Sequence, residues 1–295
     1  MNPVVDPTPD RRDCNEMRLT KHHGLRNDFL VVLDERNDAP VDVGPDLARR
    51  LCDRRAGIGA DGLIHGARPD GGSDADVVMH LFNADGSRAE MSGNGIRCLA
   101  QAVAAAQGRT DGTVVVDSDT GRRELEISAG SGPEEMQVAV DLGHVGLGPG
   151  VATTNLPIDF HEIGTADLGN PHVVVLLRGT VLATADIAKI GSAIESSYDA
   201  GINVELIARG IGTDQLDMLV WERGVGVTEA CGTGACAAAH LAHEWGMVGD
   251  VVEVRMPGGS VTVELVDGRA ILRGPTVLVA DITIDDTTQG VAADG

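Results

Sequence analysis

The sequence predicts an α/β (α+β) protein built from two similar domains. Its 295 residues correspond to about two ordinary domains, and hydrophobic residues make up 42% of the chain, enough to form cores. Short β-branched runs bounded by glycine alternate with helical patterns, and the same order of elements occurs twice. Together these observations favour a duplicated mixed fold.

The first half opens with a polar, proline-bearing segment, 1–16, for which we expect a disordered extension, so that Met17 opens the ordered chain. β-branched residues and glycine boundaries then predict strands at 29–33, 77–82, 114–117 and 136–142. Apolar residues at helical spacing predict helices at 45–53 and 96–107, the second of them rich in alanine.

The second half repeats this alternation. Its predicted strands are 172–177, 217–221, 251–256, 261–266 and 277–284. Its predicted helices are 187–194 and the alanine-rich stretch 235–245.

The duplication is visible in the letters of the sequence. The segments FNADGSRAEMSGNGIRCLAQAV and WERGVGVTEACGTGACAAAHLA align when Ser92 is placed on Cys231, which also places Asn83 on Glu222. Upstream, NDFLVVL matches NPHVVVL. Chance similarity between glycine- and alanine-rich sequences is the alternative explanation. Three matched segments in the same order favour duplication.

Composition excludes several classes of function. The formal net charge is −22 and aromatic residues are 2% of the chain, so we expect no nucleic-acid partner. No apolar run approaches the roughly 18 residues of a membrane span, so we expect no membrane partner. The N-terminus lacks an apolar signal core, and the five cysteines have no framework spacing, which indicates reduced thiols and a cytoplasmic protein.

Each half places a small residue and a Gly-x-Gly sequence at the start of an alanine-rich helix. Ser92 precedes Gly93-Asn94-Gly95, and Cys231 precedes Gly232-Thr233-Gly234. A helix N-terminus offers free amides to a carboxylate, and its field lowers the pKa of a thiol, which predicts an activated Cys231. In the purely structural alternative, the small residue caps the helix and Gly-x-Gly packs against a strand.

Two such helix ends facing each other would hold a carboxylate between one residue on each face. That arrangement suits proton exchange at the carbon next to the carboxylate, with one residue removing a proton and the other delivering one. The chain has only two lysines, Lys21 and Lys189, and neither lies in a context that suggests a Schiff base with pyridoxal phosphate. We therefore expect no cofactor.

At these residues the sequence resembles the diaminopimelate epimerase family. The matching segments run in family order from Lys21 to Ala239: KHHGLRNDFLVVLD, DRRAGIGADGLI, FNADGSRAEMSGNGIRCLA, GNPHVVV, INVELI and ERGVGVTEACGTGACAAA. The resemblance implies cofactor-independent interconversion of LL- and meso-diaminopimelate, in lysine and peptidoglycan biosynthesis. The implied partner is this small-molecule substrate, and a homodimer is left open.

The resemblance also implies an architecture: two pseudo-symmetric domains, each a curved, mostly antiparallel sheet or barrel around a central helix, with the active site in the cleft between them. We expect the first domain to comprise 17–134 plus a C-terminal strand at about 275–285, and the second to comprise 135–274.

Carried over by position, Cys231 matches a catalytic cysteine, and His172 a histidine close to the site. Arg223 suits a bidentate grip on a distal carboxylate. The implied substrate-binding residues are Asn27, Asn83, Gly93, Asn94, Asn170, Asn203, Glu222, Arg223, Gly232 and Thr233.

The second catalytic position departs from the family, which has cysteine where this chain has Ser92. A serine hydroxyl is about 7 pK units less acidic than a thiol, roughly 10 kcal/mol against forming the anion. A weakened or inactive homologue, or another amino-acid racemase or epimerase of the same fold, therefore remains open.

Three further patterns carry weaker signals. The run from Gly57 to Gly62 matches a dinucleotide-binding Gly-x-Gly-x-x-Gly, but a helical stretch precedes it and a strand-like pair follows, which is the wrong order. Cys236, His240 and His243 share one face of one helix and cannot surround a metal ion alone, so we expect no metal site. The His22-His23 pair is expected at the surface.

Overall fold

The computed structural model describes residues 16–38, 41–89, 92–152, 158–178 and 182–285. The helices are α1 (Pro45–Cys52), α2 (Gly93–Ala106), α3 (Ile187–Glu195) and α4 (Gly232–Glu244). The strands of the first half are β1 (Glu16–Gly24), β2 (Asn27–Leu33), β3 (Gly62–Ala67), β4 (Val77–Asn83), β5 (Arg88–Ala89), β6 (Gly112–Ser118), β7 (Arg123–Ala129) and β8 (Glu135–His144). The remaining strands are β9 (Gly146–Leu147), β10 (Phe160–Asp167), β11 (Pro171–Leu177), β12 (Asn203–Arg209), β13 (Gln215–Glu222), β14 (Gly226–Thr228), β15 (Val251–Met256), β16 (Gly259–Val266) and β17 (Arg269–Asp285).

Strand pairing repeats between the two halves, which confirms the duplicated mixed fold. In the first half, β1–β2 is antiparallel, β2–β3 parallel, β3–β4 antiparallel and β4–β6 parallel. The series β10–β11, β11–β12, β12–β13 and β13–β15 has the same alternation. The first series continues through β7, β8 and β17 back to β1, and so closes a ring of eight strands.

A buried helix lies inside each half. Residues Gly93 to Ala104 of α2 are all buried, and most of α4 is buried as well. A helix surrounded by strands has no face open to solvent, and small alanine side chains let the strands approach closely, which explains both alanine-rich patterns. Both helices begin three residues before their predicted starts, at Gly93 and Gly232, because the glycines themselves form the first turn.

Two long strands join the halves. β17 pairs with β16 near Arg269, with β8 along its first part, and with β1 between Val277 and Asp285. The predicted domain boundary at residue 135 falls at the first residue of β8, which forms ladders with both β7 and β17. The domain boundaries stay a prediction.

Most of the predicted N-terminal extension, 1–15, lies outside the described residues, and Glu16 already pairs in β1.

The expectation that His22 lies at the surface is wrong. Its side chain is fully buried on the face of β1 that packs against α2, where Nδ1 lies 2.9 Å from Gln101 Oε1 and Nε2 lies 2.9 Å from Thr20 Oγ1. Burial lowers the pKa of His22 to about 4, because the charged ring would lose its hydration.

Among the described residues, no helix is both long and apolar enough to span a membrane.

Candidate active site

Ser92 and Cys231 are the N-cap residues of α2 and α4 in nearly identical conformations. Their φ and ψ angles are −138° and 121° for Ser92, and −135° and 118° for Cys231. The Ser92 hydroxyl accepts a hydrogen bond from the Gly95 amide at 3.0 Å, and Cys231 Sγ accepts one from the Gly234 amide at 3.4 Å. Capping therefore occurs in both halves, and it aligns the two candidate acid/base groups.

The two helix N-termini meet at their first glycines. A Cβ added to Gly232 would lie 3.7 Å from the Cα of Gly93 and 2.8 Å from Leu272 Cδ2. A side chain at Gly232 would therefore displace Leu272, and the two backbones lie close together at this point. Two positive helix ends brought together repel each other unless an anion lies between them, so this junction suits a carboxylate.

Four predicted binding residues form two similar pairs beside this junction. Asn94 Nδ2 donates to Asn27 Oδ1 at 3.2 Å on the α2 side. Asn170 Nδ2 donates to Thr233 Oγ1 at 3.3 Å on the α4 side. The structure therefore brings each of these asparagines to the first turn of the helix in its own half.

Three other predicted binding residues, Asn203, Arg223 and Asn83, differ in their exposure and in their hydrogen bonds. Asn203 is occupied by backbone groups, donating to Pro171 O at 2.9 Å and accepting from the Arg223 amide at 3.0 Å. The Arg223 side chain is exposed, and so is Asn83, whose Nδ2 donates to Ser87 Oγ at 2.9 Å. Asn203 is thus placed to shape the loop that carries Arg223. The exposed side chains of Arg223 and Asn83 can reach a ligand.

The acidity of Cys231 differs from the sequence prediction. Only 6% of Cys231 is exposed, and burial raises its pKa well above the ordinary value, with Glu222 and Glu205 adding to the effect. Donors at Thr233 and Gly234 oppose the rise without reversing it. The prediction of a thiol activated by the helix field is therefore wrong for the ligand-free protein, because desolvation and nearby acidic groups outweigh the helix end. Cys231 rests as a thiol, a proton donor.

Glu222 contributes to this acidic surrounding. Its Oε1 accepts a hydrogen bond from Thr228 Oγ1 at 2.6 Å. Burial raises the pKa of Glu222, and the neighbouring Glu205 acts in the same direction. Glu222 therefore lies in the buried surroundings of Cys231 and acts on the pKa of its thiol.

Sequence reasoning missed Asp61 and Glu205, which help to position Asn27 and Asn170. Asp61 Oδ2 accepts from Asn27 Nδ2 at 2.8 Å, and Asp61 Oδ1 accepts from Arg54 at 2.7 Å. Asp61 and Arg54 belong to the segment around Gly57 to Gly62, which follows α1 and leads into β3. This segment therefore positions Asn27. His172 holds Asn170, with Nε2 3.1 Å from Asn170 Oδ1, and is itself held by Glu205. The segments DRRAGIGADGLI and INVELI contain Asp61 and Glu205, and membership of these segments was the signal that could have found both residues.

The other histidine and cysteine side chains of α4 do not converge. His240 lies 3.6 Å from Glu244 and His243 lies 3.1 Å from Asp250, each as an isolated pair. Within the described ranges, no group of three or more His, Cys, Asp or Glu side chains is arranged to hold a metal ion.

Comparison with known proteins identifies relatives along most of the chain. The profile of the diaminopimelate epimerase family matches residues 19–147 and 164–279. The diaminopimelate epimerase of Rhodococcus jostii is 40% identical over 288 residues, covering 92% of this chain and 98% of the relative. That of Corynebacterium glutamicum is 35% identical over 270 residues, covering 89% and 96%.

Solved structures of lower identity share the fold. The phenazine biosynthesis protein of the PhzF family from Bacillus anthracis superposes with a TM-score of 0.70 at 13% identity, covering 91% of this chain and 99% of its own. A hydroxyproline epimerase from Agrobacterium vitis superposes with a TM-score of 0.63 at 18% identity, covering 93% and 94%. On the family profile and the relatives of 35% and 40% identity, the chain belongs to the diaminopimelate epimerase family, a family of isomerases.

Proposed function

We propose that the protein interconverts LL- and meso-2,6-diaminopimelate by proton transfer at the α-carbon, without a cofactor, as a step of lysine and peptidoglycan biosynthesis. The observation that carries the proposal is the junction of two helix N-termini, with Cys231 capping one helix and Ser92 the other. Family membership supports the substrate. We expect the step in the cytoplasm, where thiols stay reduced, and the homodimer stays a prediction.

In the proposed reaction, the carboxylate next to the reacting carbon lies at the amides of Gly93-Asn94 and Gly232-Thr233. One face of the α-carbon loses its proton to a base, and the negative charge spreads into the carboxylate, where the two helix ends stabilise it. A proton is delivered to the opposite face. Because Cys231 rests as a thiol, it suits delivery first, and it becomes a thiolate that removes the α-proton in the reverse direction.

Ser92 occupies the position of the second acid/base, and the distal half of the substrate would extend towards Arg223. The Arg223 guanidinium matches a carboxylate in a bidentate geometry. Asn27, Asn83, Asn170, Asn203 and Glu222 are the remaining groups that we propose to orient the substrate.

Ser92 also favours a second candidate, a related racemase or epimerase with another amino-acid substrate, or an enzyme of low activity. A hydroxyl gives up its proton far less readily than a thiol. A substrate without a distal carboxylate would leave Arg223 without a ligand. Comparing diaminopimelate with proline and alanine as substrates separates these candidates.

Exchange of the α-proton in heavy water tests the proposal. We expect the protein to introduce deuterium into LL- and meso-diaminopimelate, detected by NMR, because Cys231 cycles its proton with solvent. Cys231→Ala should abolish this exchange, whereas Cys236→Ala, a buried thiol on the same helix, should retain it. Exchange above a few per cent in Cys231→Ala would refute the role of Cys231. Exchange with proline or alanine but not diaminopimelate would support the second candidate.

A further inference from the structure

The last residue of α3 contacts the turn that carries Arg223. Glu195 Oε2 accepts a hydrogen bond from Trp221 Nε1 at 2.6 Å, and Glu195 Oε1 accepts one from the Gly224 amide at 3.1 Å. The Arg223 amide, between these two donors, donates to Asn203 Oδ1 at 3.0 Å. One carboxylate therefore holds the chain on both sides of Arg223.

Arg223 and Gly224 are the two central residues of a tight turn. The Val225 amide donates to Glu222 O at 3.0 Å, which closes the turn. Gly224 has a φ of 73°, whereas Arg223 has no positive φ, and this combination is the type II pattern. Types I and II differ by a flip of the peptide between the two central residues. The Gly224 amide belongs to this peptide, so the contact with Glu195 fixes its orientation.

The corresponding turn of the first half has the other pattern. β4 and β5 pair as β13 and β14 do, so the two turns occupy equivalent places. Asn83 O accepts from the Gly86 amide at 2.9 Å, and neither central residue, Ala84 or Asp85, has a positive φ, which is the type I pattern. Here α1 supplies a cation, Arg49, which donates to Asp85 O at 3.0 Å. The outer helix thus holds a carbonyl in the type I turn and an amide in the type II turn.

The stem of Arg223 packs beside the same carboxylate. A Cβ added to Gly201 would lie 2.9 Å from Arg223 Cγ and 3.1 Å from Glu195 Oε1, so backbone, stem and carboxylate meet at one point. Both Glu195 oxygens accept from N–H groups, and the Arg223 side chain is exposed, so the guanidinium stays accessible to a ligand. The first-half turn has Ala84 in place of Arg223 and a cation on its helix. An anion on α3 suits the turn that carries a cation.

We propose that Glu195 is a positioning residue for Arg223: its carboxylate holds the turn in the type II conformation, so that Arg223 is already in place for the distal carboxylate of the substrate. Ordering a loop before binding lowers the entropic cost of binding. The role in recognition rests on the proposed function, whereas the effect on the turn is a property of the ligand-free protein.

Exchange of the Gly224 amide hydrogen with heavy water measures the contact without substrate. The full ligand-free chain is isotope-labelled and its amide exchange is followed by NMR. In Glu195→Gln the Gly224 amide should exchange roughly tenfold faster, because glutamine has one acceptor oxygen for two N–H groups and carries no charge. Glu244→Gln, at the exposed last residue of α4, should exchange like the wild type. Unchanged exchange in Glu195→Gln overturns the proposal.

Steady-state kinetics tests the role in recognition. Glu195→Gln should raise KM for diaminopimelate roughly tenfold and leave kcat nearly unchanged, since the distal contact is made in the ground state and in the transition state alike. Combining Glu195→Gln with Arg223→Met should add nothing to Arg223→Met alone, because both changes weaken the same contact. Additive losses, or a lower kcat with an unchanged KM, would overturn the proposal.

Gly224→Ala tests the turn conformation without touching the carboxylate. A Cβ at Gly224 meets nothing within 4 Å, so the cost of this substitution arises from the positive φ alone. The variant should raise KM and keep kcat, as Glu195→Gln does. Gly108→Ala, with a φ of 66° and equally open surroundings after α2, should strain the backbone without changing KM. If Glu195→Gln does not fold, an unchanged KM in Gly224→Ala overturns the proposal.

Failure of the proposed function has a different signature from failure of this inference. If the wild type exchanges no diaminopimelate α-proton but Glu195→Gln still accelerates exchange of the Gly224 amide, the proposed substrate is wrong and the hold of Glu195 on the turn stands. If the wild type exchanges diaminopimelate and Glu195→Gln changes neither the amide exchange nor KM, the proposed function stands and the role of Glu195 is wrong.

Discussion

Ser92 and Cys231 show that two residues can share a backbone geometry and differ in chemistry by one atom. Each caps its helix with the same φ and ψ to within a few degrees and accepts a hydrogen bond from the amide three residues later, Gly95 or Gly234. Serine is a strongly preferred cap, so the substitution costs the helix nothing. The consequence falls on proton transfer, because a hydroxyl is a much weaker acid than a thiol.

Ser92→Cys should therefore increase epimerisation sharply. The new thiol would supply an acid/base on the face opposite Cys231, and two facing thiols would also become sensitive to oxidation. We expect activity that is lost with an oxidant and restored by a reducing agent, measured by coupled optical or NMR assays.

Ser92→Ala is the matched control for this experiment, since it keeps the small side chain and gains no thiol. It should show neither the gain in epimerisation nor the oxidant sensitivity. If the serine and cysteine forms epimerise at the same rate, the serine is a working acid/base, and the site offsets most of the penalty of roughly 10 kcal/mol expected from solution acidities.

At the scale of elements, α2 carries a buried cation that ties the helix to the last strand. Arg97 is fully buried, and it donates to Gly93 O at 3.1 Å, Asn94 Oδ1 at 2.6 Å and Pro275 O at 3.3 Å. None of its hydrogen bonds within the described ranges goes to a carboxylate. Burial lowers the pKa of Arg97 to about 10, so the charge persists at neutral pH.

Arg97→Lys should destabilise the protein by about 2 to 5 kcal/mol. Lysine keeps the buried charge but cannot reach three separate acceptors from one planar group, so acceptors in α2 and β17 lose their donors. Urea unfolding followed by circular dichroism measures the change.

The control for Arg97→Lys is Arg122→Lys, at an arginine that is exposed and pairs with Asp74 at 2.6 Å. This variant should stay within about 0.5 kcal/mol of the wild type. A similarly small effect of Arg97→Lys would mean that α2 does not depend on this side chain.

At the scale of the whole molecule, β8 and β17 make the two halves one structural unit. β17 bonds to β1, β8 and β16, so the ring of the first half cannot open without breaking a strand shared with the second. We therefore expect urea unfolding to show one transition. A local change of charge on β1 should then appear in the global free energy of unfolding.

His22 makes the expected pH dependence specific. Its pKa is about 4 in the folded state and about 6.5 when unfolded. Between these values the unfolded chain binds more protons, so the free energy of unfolding should fall as the pH drops from about 6.5 to about 4, by roughly 3 kcal/mol. Above about 6.5 the contribution is complete.

His22→Gln should remove this part of the pH dependence, since glutamine can bond to Gln101 and Thr20 without titrating. His161→Gln, at an exposed histidine on β10, should keep it. Urea unfolding at a series of pH values compares the variants, and equal slopes in all three proteins would rule out His22 as the source.

The alternation of strands and helices and the helix caps could be predicted from the sequence because each depends on neighbours within a few residues. The duplication could be predicted because its matched segments keep similar residues in the same order. Alanine-rich patterns located α2 and α4, and the matched Gly-x-Gly segments located their N-termini. Resemblance to a family added the candidate site, of which Asn27, Asn94, Asn170 and Thr233 come together at the helix junction.

The tertiary structure alone decided which groups are charged and what they touch. His22 is buried rather than exposed, and burial raises the pKa of Cys231 well above its ordinary value, with Glu222 and Glu205 on separate strands adding to the effect. Desolvation and Coulomb interactions depend on packing and on distance in space, and Glu205 approaches Cys231 from a strand well separated from it along the chain. A local pattern therefore identifies a cysteine at a helix end, but only the packed molecule determines its acidity.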